Sequence, residues 1–339
     1  MRIALDAMGG DFGSDQLVAG AVQAVREYGH QVVLLGDQPT LQRAVDQQAC
    51  GLSQVSIVHT TQVVGMDESP MEGIRKKADS SIRVAFKLLQ QKQVDAVVSA
   101  GNSGATMAAA VKEVGRLQGI SRPGIAGIFP TLKSPLAVMD VGANVDCRPQ
   151  HLYQFAIMAT AFSKALFGIE CPKVGLLSIG EEGGKGNALV KSTHELLLGS
   201  SLNYIGNVEG RDVFRGDVDV MVCDGFVGNI CLKLSEGLAE AMVAMLREEL
   251  GKNVRSKIGY LLTRQAYASV KKRTDYAEYG GAPLLGFNGT GIICHGRSNA
   301  TAIKNAIRVA AELVHNKMND RILEMLAQSE VKDSSETEG

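Results

Sequence analysis

Short runs of β-branched and aliphatic residues alternate along this chain with longer stretches in which apolar side chains recur every three to four positions. The runs read RIALDAM at 2–8 and QVVLLG at 31–36, then VSIVH, VDAVVSA, PLAVMDV, KVGLLSI, NYIGNV and VDVMVCD. Short continuous apolar runs bounded by turn residues predict strands buried on both faces. Helical spacing predicts helices at 14–28, from 37 onward (opened by Asp37 and Pro39), and at 72–91, 104–115, 150–167, 187–199 and 226–250. Alternation of this kind builds a mostly parallel sheet with helices on both faces, joined by right-handed crossovers. The expected fold is a three-layer α/β/α domain over residues 1–328. Residues 329–339, polar and acidic with a single valine, are expected to be a disordered tail.

Composition narrows the classes. The chain has 339 residues, 45% of them hydrophobic and 21% charged, so it can bury a large core without metal or disulfide support. Its formal charge of −1 gives no basis for nucleic-acid binding. That charge is unevenly placed. Between Lys252 and Thr274 lie seven basic residues and no acidic one, which leaves −8 on the rest of the chain. Within this segment Arg255, Lys257, Arg264, Lys271 and Lys272 are interleaved with Ile258, Leu261 and Leu262. The mixture predicts a basic amphipathic helical hairpin, around 235–277, that meets an anionic lipid surface or an acidic protein. A dimer-interface helix with a solvated basic face accounts for the same pattern. The six cysteines include no C-x-x-C pair and sit mostly in apolar runs, as expected of reduced, buried thiols in a reducing compartment. The first residues contain no secretory apolar stretch and no later run is long enough to span a bilayer, so a cytoplasmic protein is expected.

Candidate chemistry gathers at four junctions where an apolar strand, a small-residue loop and a helix start follow one another: 97–106, 176–188, 220–233 and 284–300. In a parallel sheet such loops share the edge at the strands' carboxyl ends and can line one crevice. Helix starts carry unpaired N–H groups and the positive end of the macrodipole, so phosphate is the natural guest. SAGNSGA at 99–105 offers side-chain donors from Ser99, Asn102 and Ser103 around a Gly101 and Gly104 cradle. Lys185 and Lys233 add cations near the loops, and Asn187 and Asn229 add neutral donors. Asp224, in VCDGFVGN, lines the same region. His295 is either a hydrogen-bonded structural residue or a general acid. Asp140, Asn144 and Asp146 in DVGANVD suit loop capping and stitching, or the orienting of nearby cationic groups. GEEGGKGN lacks the Walker A spacing, the first strand is not followed by G-x-G-x-x-G, and neither a nucleophile elbow nor metal-ligand spacing is present, so no cofactor and no metal are expected. The residues alone point to transfer involving a phosphate group.

DAMGGD at 6–11, SAGNSGA at 99–105, DVGANVD at 140–146, LLSIGEE with KGN within 176–187, VCDGFVGN at 222–229 and YGGAPLLGFNG at 279–289 together resemble the bacterial phosphate acyltransferase family of phospholipid synthesis. The resemblance implies transfer of a fatty acyl group from acyl carrier protein to inorganic phosphate. The acyl phosphate would supply a membrane glycerol-3-phosphate acyltransferase. It also implies a fold similar to phosphotransacetylases and isopropylmalate dehydrogenases, a homodimer, and peripheral contact with an anionic membrane. On this reading Ser99, Asn102, Ser103 and Gly104 hold phosphate, Lys185 and Asn229 stand near the reacting oxygens, and His295 protonates the leaving thiolate. A nicotinamide- and metal-dependent hydroxyacid dehydrogenase and a non-catalytic membrane scaffold are the alternatives.

Overall fold

The computed structural model describes residues 1–48 and 53–335, with residues 276 and 330–335 described by backbone alone; Cys50 and residues 336–339 lie outside the described residues. In chain order the elements are β1 (Arg2–Asp6), α1 (Ser14–Tyr28), β2 (Gln31–Gly36), α2 (Gln38–Gln48), β3 (Val55–His59), α3 (Pro70–Lys76), α4 (Ser81–Gln90), β4 (Ala96–Ser99) and α5 (Ser103–Glu113). Next come β5 (Gly124–Phe129), β6 (Leu136–Met139), α6 (Pro149–Phe167), β7 (Val174–Leu177), α7 (Ala188–Leu198), β8 (Tyr204–Val208) and β9 (Val220–Val222). The chain ends with α8 (Gly225–Gly251), α9 (Val254–Thr274), α10 (Tyr276–Tyr279), β10 (Ala282–Leu285), β11 (Gly291–Ile293), α11 (Ala300–His315) and α12 (Met318–Ser335).

Successive strand side chains point to opposite faces, and that alternation divides the core in two. Ile3, Leu5, Val32 and Leu34 face a core shared with α1, α6, α11 and α12. Ala4, Val33 and Leu35 face a second core with α4 and α5. The three-layer α/β/α arrangement follows. One predicted helix, 72–91, is two. Asp79 turns away to accept the N–H of Thr61 at 2.8 Å, and Ser81 N–H bonds the Gln62 carbonyl, so residues 77–80 leave the helical path between α3 and α4. The predicted tail also differs, because α12 keeps helical backbone through Ser335.

Sheet direction departs more consequentially from expectation. Eleven strands run in the order β3-β2-β1-β4-β11-β10-β5-β6-β9-β7-β8. β10 is antiparallel to both neighbours, and β5 is antiparallel to β6. The block β6-β9-β7-β8 therefore runs opposite to the block β3-β2-β1-β4-β11. The junction loops do not all leave one edge. Those after β4 and β11 leave one end of the sheet, and those after β7 and β9 leave the other. The last junction also contains two strands, β10 and β11, where a single strand and helix were expected.

Candidate functional site

A cavity of about 350 Å³ opens over β5 and β10, between the two strand blocks. One wall comes from the loops after β1, β4 and β11, through Asp11, Gly101, Ser103, His295 and Gly296. The other comes from the loop after β6 and the start of α8, through Val141, Gly142, Asn229, Leu232, Lys233 and Glu236. Ile125, Gly127, Ile128, Ala282 and Ile293 give it an apolar floor. Two opposed loop sets thus reach one cavity, although they leave opposite ends of the sheet.

The β4–α5 loop is held from below. Asp6 and Ser99 sit side by side in the parallel register of β1 and β4. The Ser99 hydroxyl donates to Asp6 Oδ2 at 2.9 Å and accepts the Gly101 N–H at 3.1 Å. A Cβ on Gly9 would lie 2.6 Å from Gly101 N, so only glycine lets the DAMGGD and SAGNSGA loops touch. Asp6 is buried, and that burial raises its pKa above 3.8; hydrogen bonds from Ser81, Ser99 and the backbone at Met8 and Gly9 act in the opposite sense. Asn102 is equally committed. Its Oδ1 caps α5 at Ala105 N–H, and its Nδ2 donates to carbonyls of Met66 and Glu68 at 3.0 and 3.1 Å. Ser99 and Asn102, expected as phosphate donors, therefore build the loop. Gly104 faces Pro70, within 2.6 Å of where its Cβ would be. Of the expected set, Gly101 and Ser103 line the cavity, and Ser103 is exposed beside the start of α5.

On the opposite wall, Asn229, Leu232, Lys233 and Glu236 follow the i, i+3, i+4, i+7 spacing of one helix face. Asp224 caps this helix by accepting Val227 N–H at 2.9 Å, so it positions α8 and does not line the cavity. Beneath the helix start, buried Asp140 accepts four hydrogen bonds, from the N–H groups of Ile125, Ala143 and Asn144 and from Asn144 Nδ2. A Cβ on Gly228 would fall 1.9 Å from the Asp140 carbonyl oxygen, which is how closely α8 packs there. Asp140 and Asn144 thus stitch the DVGANVD loop, and Asp146 takes part through its carbonyl, which accepts from Arg122 at 2.9 Å. Lys233 Nζ pairs with Glu236 Oε2 at 2.8 Å. Glu236, Asp11, Tyr279 and the floor residues carry no role in the sequence reading. The helical spacing from Asn229 was the available signal for Glu236.

His295 lines the cavity beside Asp11 and Lys233. Its Nδ1 accepts the backbone N–H of Arg297 at 3.1 Å. Burial, then the Lys233 charge, pushes its pKa below 6.5, while Glu236 and Asp11 pull it upward. Cys294, its neighbour in the chain, also lines the cavity but is buried, and burial lifts its thiol pKa to about 12, far from a reactive thiolate. Cys171 is exposed, unlike the buried thiols expected.

Lys185 and Asn187 lie elsewhere. They belong to the β7–α7 loop, which leaves the same end of the sheet as Asp224 but does not line the cavity. Asn187 Oδ1 caps α7 at Val190 N–H, and Asn207 Nδ2 holds the loop at the Glu182 carbonyl. Lys185 is exposed, with no ion pair among the described residues. In α9, Arg255, Lys257, Arg264 and Lys271 are exposed without an ion pair among the described residues, and Leu261 and Leu262 are 69% and 82% exposed. Arg273 ties the base of α9 to the body through the Thr131 carbonyl at 2.8 Å. No helix among the described residues is long and apolar enough to cross a membrane.

Residues 1–321 match the family described as fatty acid synthesis protein. The chain is 54% identical over 329 residues to the phosphate acyltransferase of Geotalea uraniireducens, covering 97% of this chain and 95% of that one. It is 55% identical over 324 residues to the phosphate acyltransferase of Syntrophotalea carbinolica, covering 96% and 93%. The fold is similar to that of a phosphotransacetylase from Streptococcus pyogenes, with a TM-score of 0.62 at 18% identity over 93% of this chain and 94% of that one.

Proposed function

The chain belongs to the fatty acid synthesis protein family and is an acyltransferase, and from that premise we propose that it moves a long-chain acyl group from acyl carrier protein to inorganic phosphate. The acyl phosphate product would serve a membrane glycerol-3-phosphate acyltransferase in phospholipid synthesis. One observation carries the reading: a single cavity combines the start of α5, Ser103, Asn229 and Lys233 with an apolar floor. Phosphate fits the first set, and the carbons next to a thioester fit the second.

A phosphate oxygen adds to the thioester carbon, charge collects on the carbonyl oxygen, and the carrier thiolate departs. The net change is thioester plus HPO₄²⁻ giving acyl phosphate dianion plus thiol, with the phosphate proton ending on sulfur. No enzyme nucleophile is needed, so catalysis rests on placing two substrates and on preset donors. Ser103 and the α5 start hold phosphate. Asn229 faces the reacting oxygens, and Lys233 exchanges Glu236 for a phosphate oxygen. Lys185 reaches the cavity by closure of its glycine-rich loop. The exposed basic and apolar tip of α9 serves the acidic carrier protein and an anionic membrane. A second apolar stripe, on α8, supports a homodimer: Ile230, Leu234, Leu238, Met242 and Met245 are each 48–70% exposed.

The test is orthophosphate-dependent loss of acyl carrier thioester, with acetyl-CoA as comparison donor. Rapid loss with the long-chain carrier thioester and little with acetyl-CoA is expected; vesicle binding without any phosphate-dependent turnover would leave a scaffold. Lys185→Ala should lower turnover with unchanged melting, and full activity would remove Lys185 from the reaction.

A further inference from the structure

We propose that Ala282, with Gly127 beside it on the neighbouring strand, is the specificity-determining position for the acyl chain: the alkyl carbons cross the sheet in the gap that these two small residues leave in the cavity floor. The inference rests on the acyl-transfer reading above and assigns the alkyl part of the substrate to named residues.

Strand register places the gap. Ile293 of β11 pairs with Ser99 of β4 on one side and with Ala282 of β10 on the other. Leu284 of β10 pairs with Ile125 of β5, so the same antiparallel register brings Ala282 opposite Gly127, and Gly127 pairs with Val138 of β6. One row therefore crosses five strands as Ser99, Ile293, Ala282, Gly127 and Val138. Ile125, Leu284, Ile293 and Val138 face the core shared with α4 and α5, whereas Ala126 and Leu285, one residue along, face the other core. On the first of these faces α5 packs against β11 and α8 against β6. β10 and β5 lie between the two helices, and there the row carries only a methyl group and a hydrogen atom. Val141 bounds the gap on the β6 side, because a Cβ on Gly127 would meet its methyl groups at 3.0 and 3.3 Å. Ala282 keeps part of its surface open to the cavity. From Ile293 to Gly127 the gap crosses two interstrand spacings, roughly 10 Å.

Such a gap suits alkyl carbon and excludes the other parts of the substrates. β10 and β5 are each hydrogen-bonded to a strand on both sides, so their peptide groups are engaged in the ladder. Ile125, Gly127, Ala282 and Ile293 have no polar side-chain atom. The amides of a pantetheine arm or the oxygens of phosphate would lose water there without gaining a partner, whereas methylene groups gain by leaving water. Polar groups stand on the walls instead, Ser103 at the α5 start and Asn229 with Lys233 on α8, so a thioester held between them directs its alkyl part to the floor. A butanoyl group is too short to cross both strands, while a hexadecanoyl chain crosses them and gains from each carbon it buries. Chain choice then depends on the depth above Ala282, where each carbon added to the protein displaces one of the substrate.

The experiment compares hexadecanoyl and butanoyl groups on the same carrier protein, with orthophosphate as acceptor and the full chain as enzyme. Ala282→Leu, whose added carbons enter the cavity, should lower the ratio of kcat/KM for hexadecanoyl over butanoyl on the order of 10–200-fold, the discrimination that one carbon gives in an apolar pocket. Ala282→Val, which suits a strand, and Gly127→Ala, which presses Val141 toward the gap, should lower the ratio in the same direction by less. Binding is read separately, without turnover: the unreactive S-hexadecyl thioether of the carrier should raise the melting temperature of wild type more than that of Ala282→Leu. An unchanged ratio in all three variants, or equal loss with both donors, would overturn the proposal and leave the acyl-transfer reading intact. So would a thioether that stabilises wild type and Ala282→Leu alike. If wild type shows no orthophosphate-dependent turnover while the thioether still favours it over Ala282→Leu, the acyl-transfer reading fails and the alkyl site is retained.

Discussion

At the scale of single residues, the site is built from side chains whose polar atoms are mostly already engaged. Ser99, Asn102, Asp224 and Asn187 look alike in the sequence: small polar residues at strand-to-helix turns. A hydroxyl or amide in such a loop can face a ligand or close the loop on itself, and spacing does not distinguish the two. The partners decide: for Ser99 and Asn102 they lie far away in sequence, at Asp6 and Met66, while Asp224 and Asn187 cap the helices that begin just after them. Ser99→Ala should therefore act mainly through stability, costing about 1–3 kcal/mol in urea unfolding as Asp6 and Gly101 each lose a partner. An unchanged midpoint would show that this link is not needed. Asp6 also carries a pH signature. Its folded pKa is raised above 3.8 by burial, so the folded state binds its proton more tightly than the unfolded chain does. That contribution is full below 3.8 and is lost as pH climbs through the folded value. The stability of wild type relative to Asp6→Asn should accordingly fall with rising pH above 3.8, measured as denaturation midpoints at several pH values; a difference that grows would reverse the assignment.

At the scale of elements, most of the architecture could be read from the chain. The predicted α1 and β2 have the observed limits, and the predicted helix at 226–250 is α8 within one residue at each end. What escaped notice is β5, of six residues, and the division of the last junction into β10 and β11, of four and three residues. GIAGIF and GII are too short and too glycine-rich to show a period, and APLL begins beside a glycine pair. Helix α8 has two opposed faces, and each suggests a measurement. Its inner start is tight: Gly228→Ala gains helix propensity of up to about 1 kcal/mol but must displace the Asp140 carbonyl, so a net loss of about 1–3 kcal/mol or more is expected in thermal melting. Gly259→Ala in α9 meets nothing within 4 Å and should instead raise stability by about 0.5–1 kcal/mol. On the outer face, where the proposed homodimer would pack, Leu238→Lys with Met242→Lys should shift sedimentation toward monomer, and unchanged sedimentation would exclude this stripe as an interface. Leu261→Glu with Leu262→Glu should weaken flotation with anionic vesicles while sparing turnover in solution.

At the scale of the whole molecule, the reversal of strand direction between β11 and β6 sets how the site can respond to a ligand. A purely parallel sheet would have gathered every loop at one edge. Here the loops after β4 and β11 and the start of α8 come from opposed blocks, and the proposed phosphate would bridge them. Amide exchange should slow at both 101–105 and 225–233 when orthophosphate is added. Protection confined to one segment would mean that the anion sits on one wall only. This reversal was not legible because it is created by β5 and by the pairing of β10 with β11, while the longer helices and strands on either side have the same local pattern whichever way the sheet runs.

The position of β11 between β4 and β10 has a consequence for biosynthesis. While the ribosome is still making the middle of the protein, β4 has β1 on one side and a row of unsatisfied peptide groups on the other, because the strand that covers them is among the last to be translated. Products cut short before residue 291 would keep that open edge and be prone to stick to one another, so the newly made chain is a natural client for chaperones until its final seventh or so emerges.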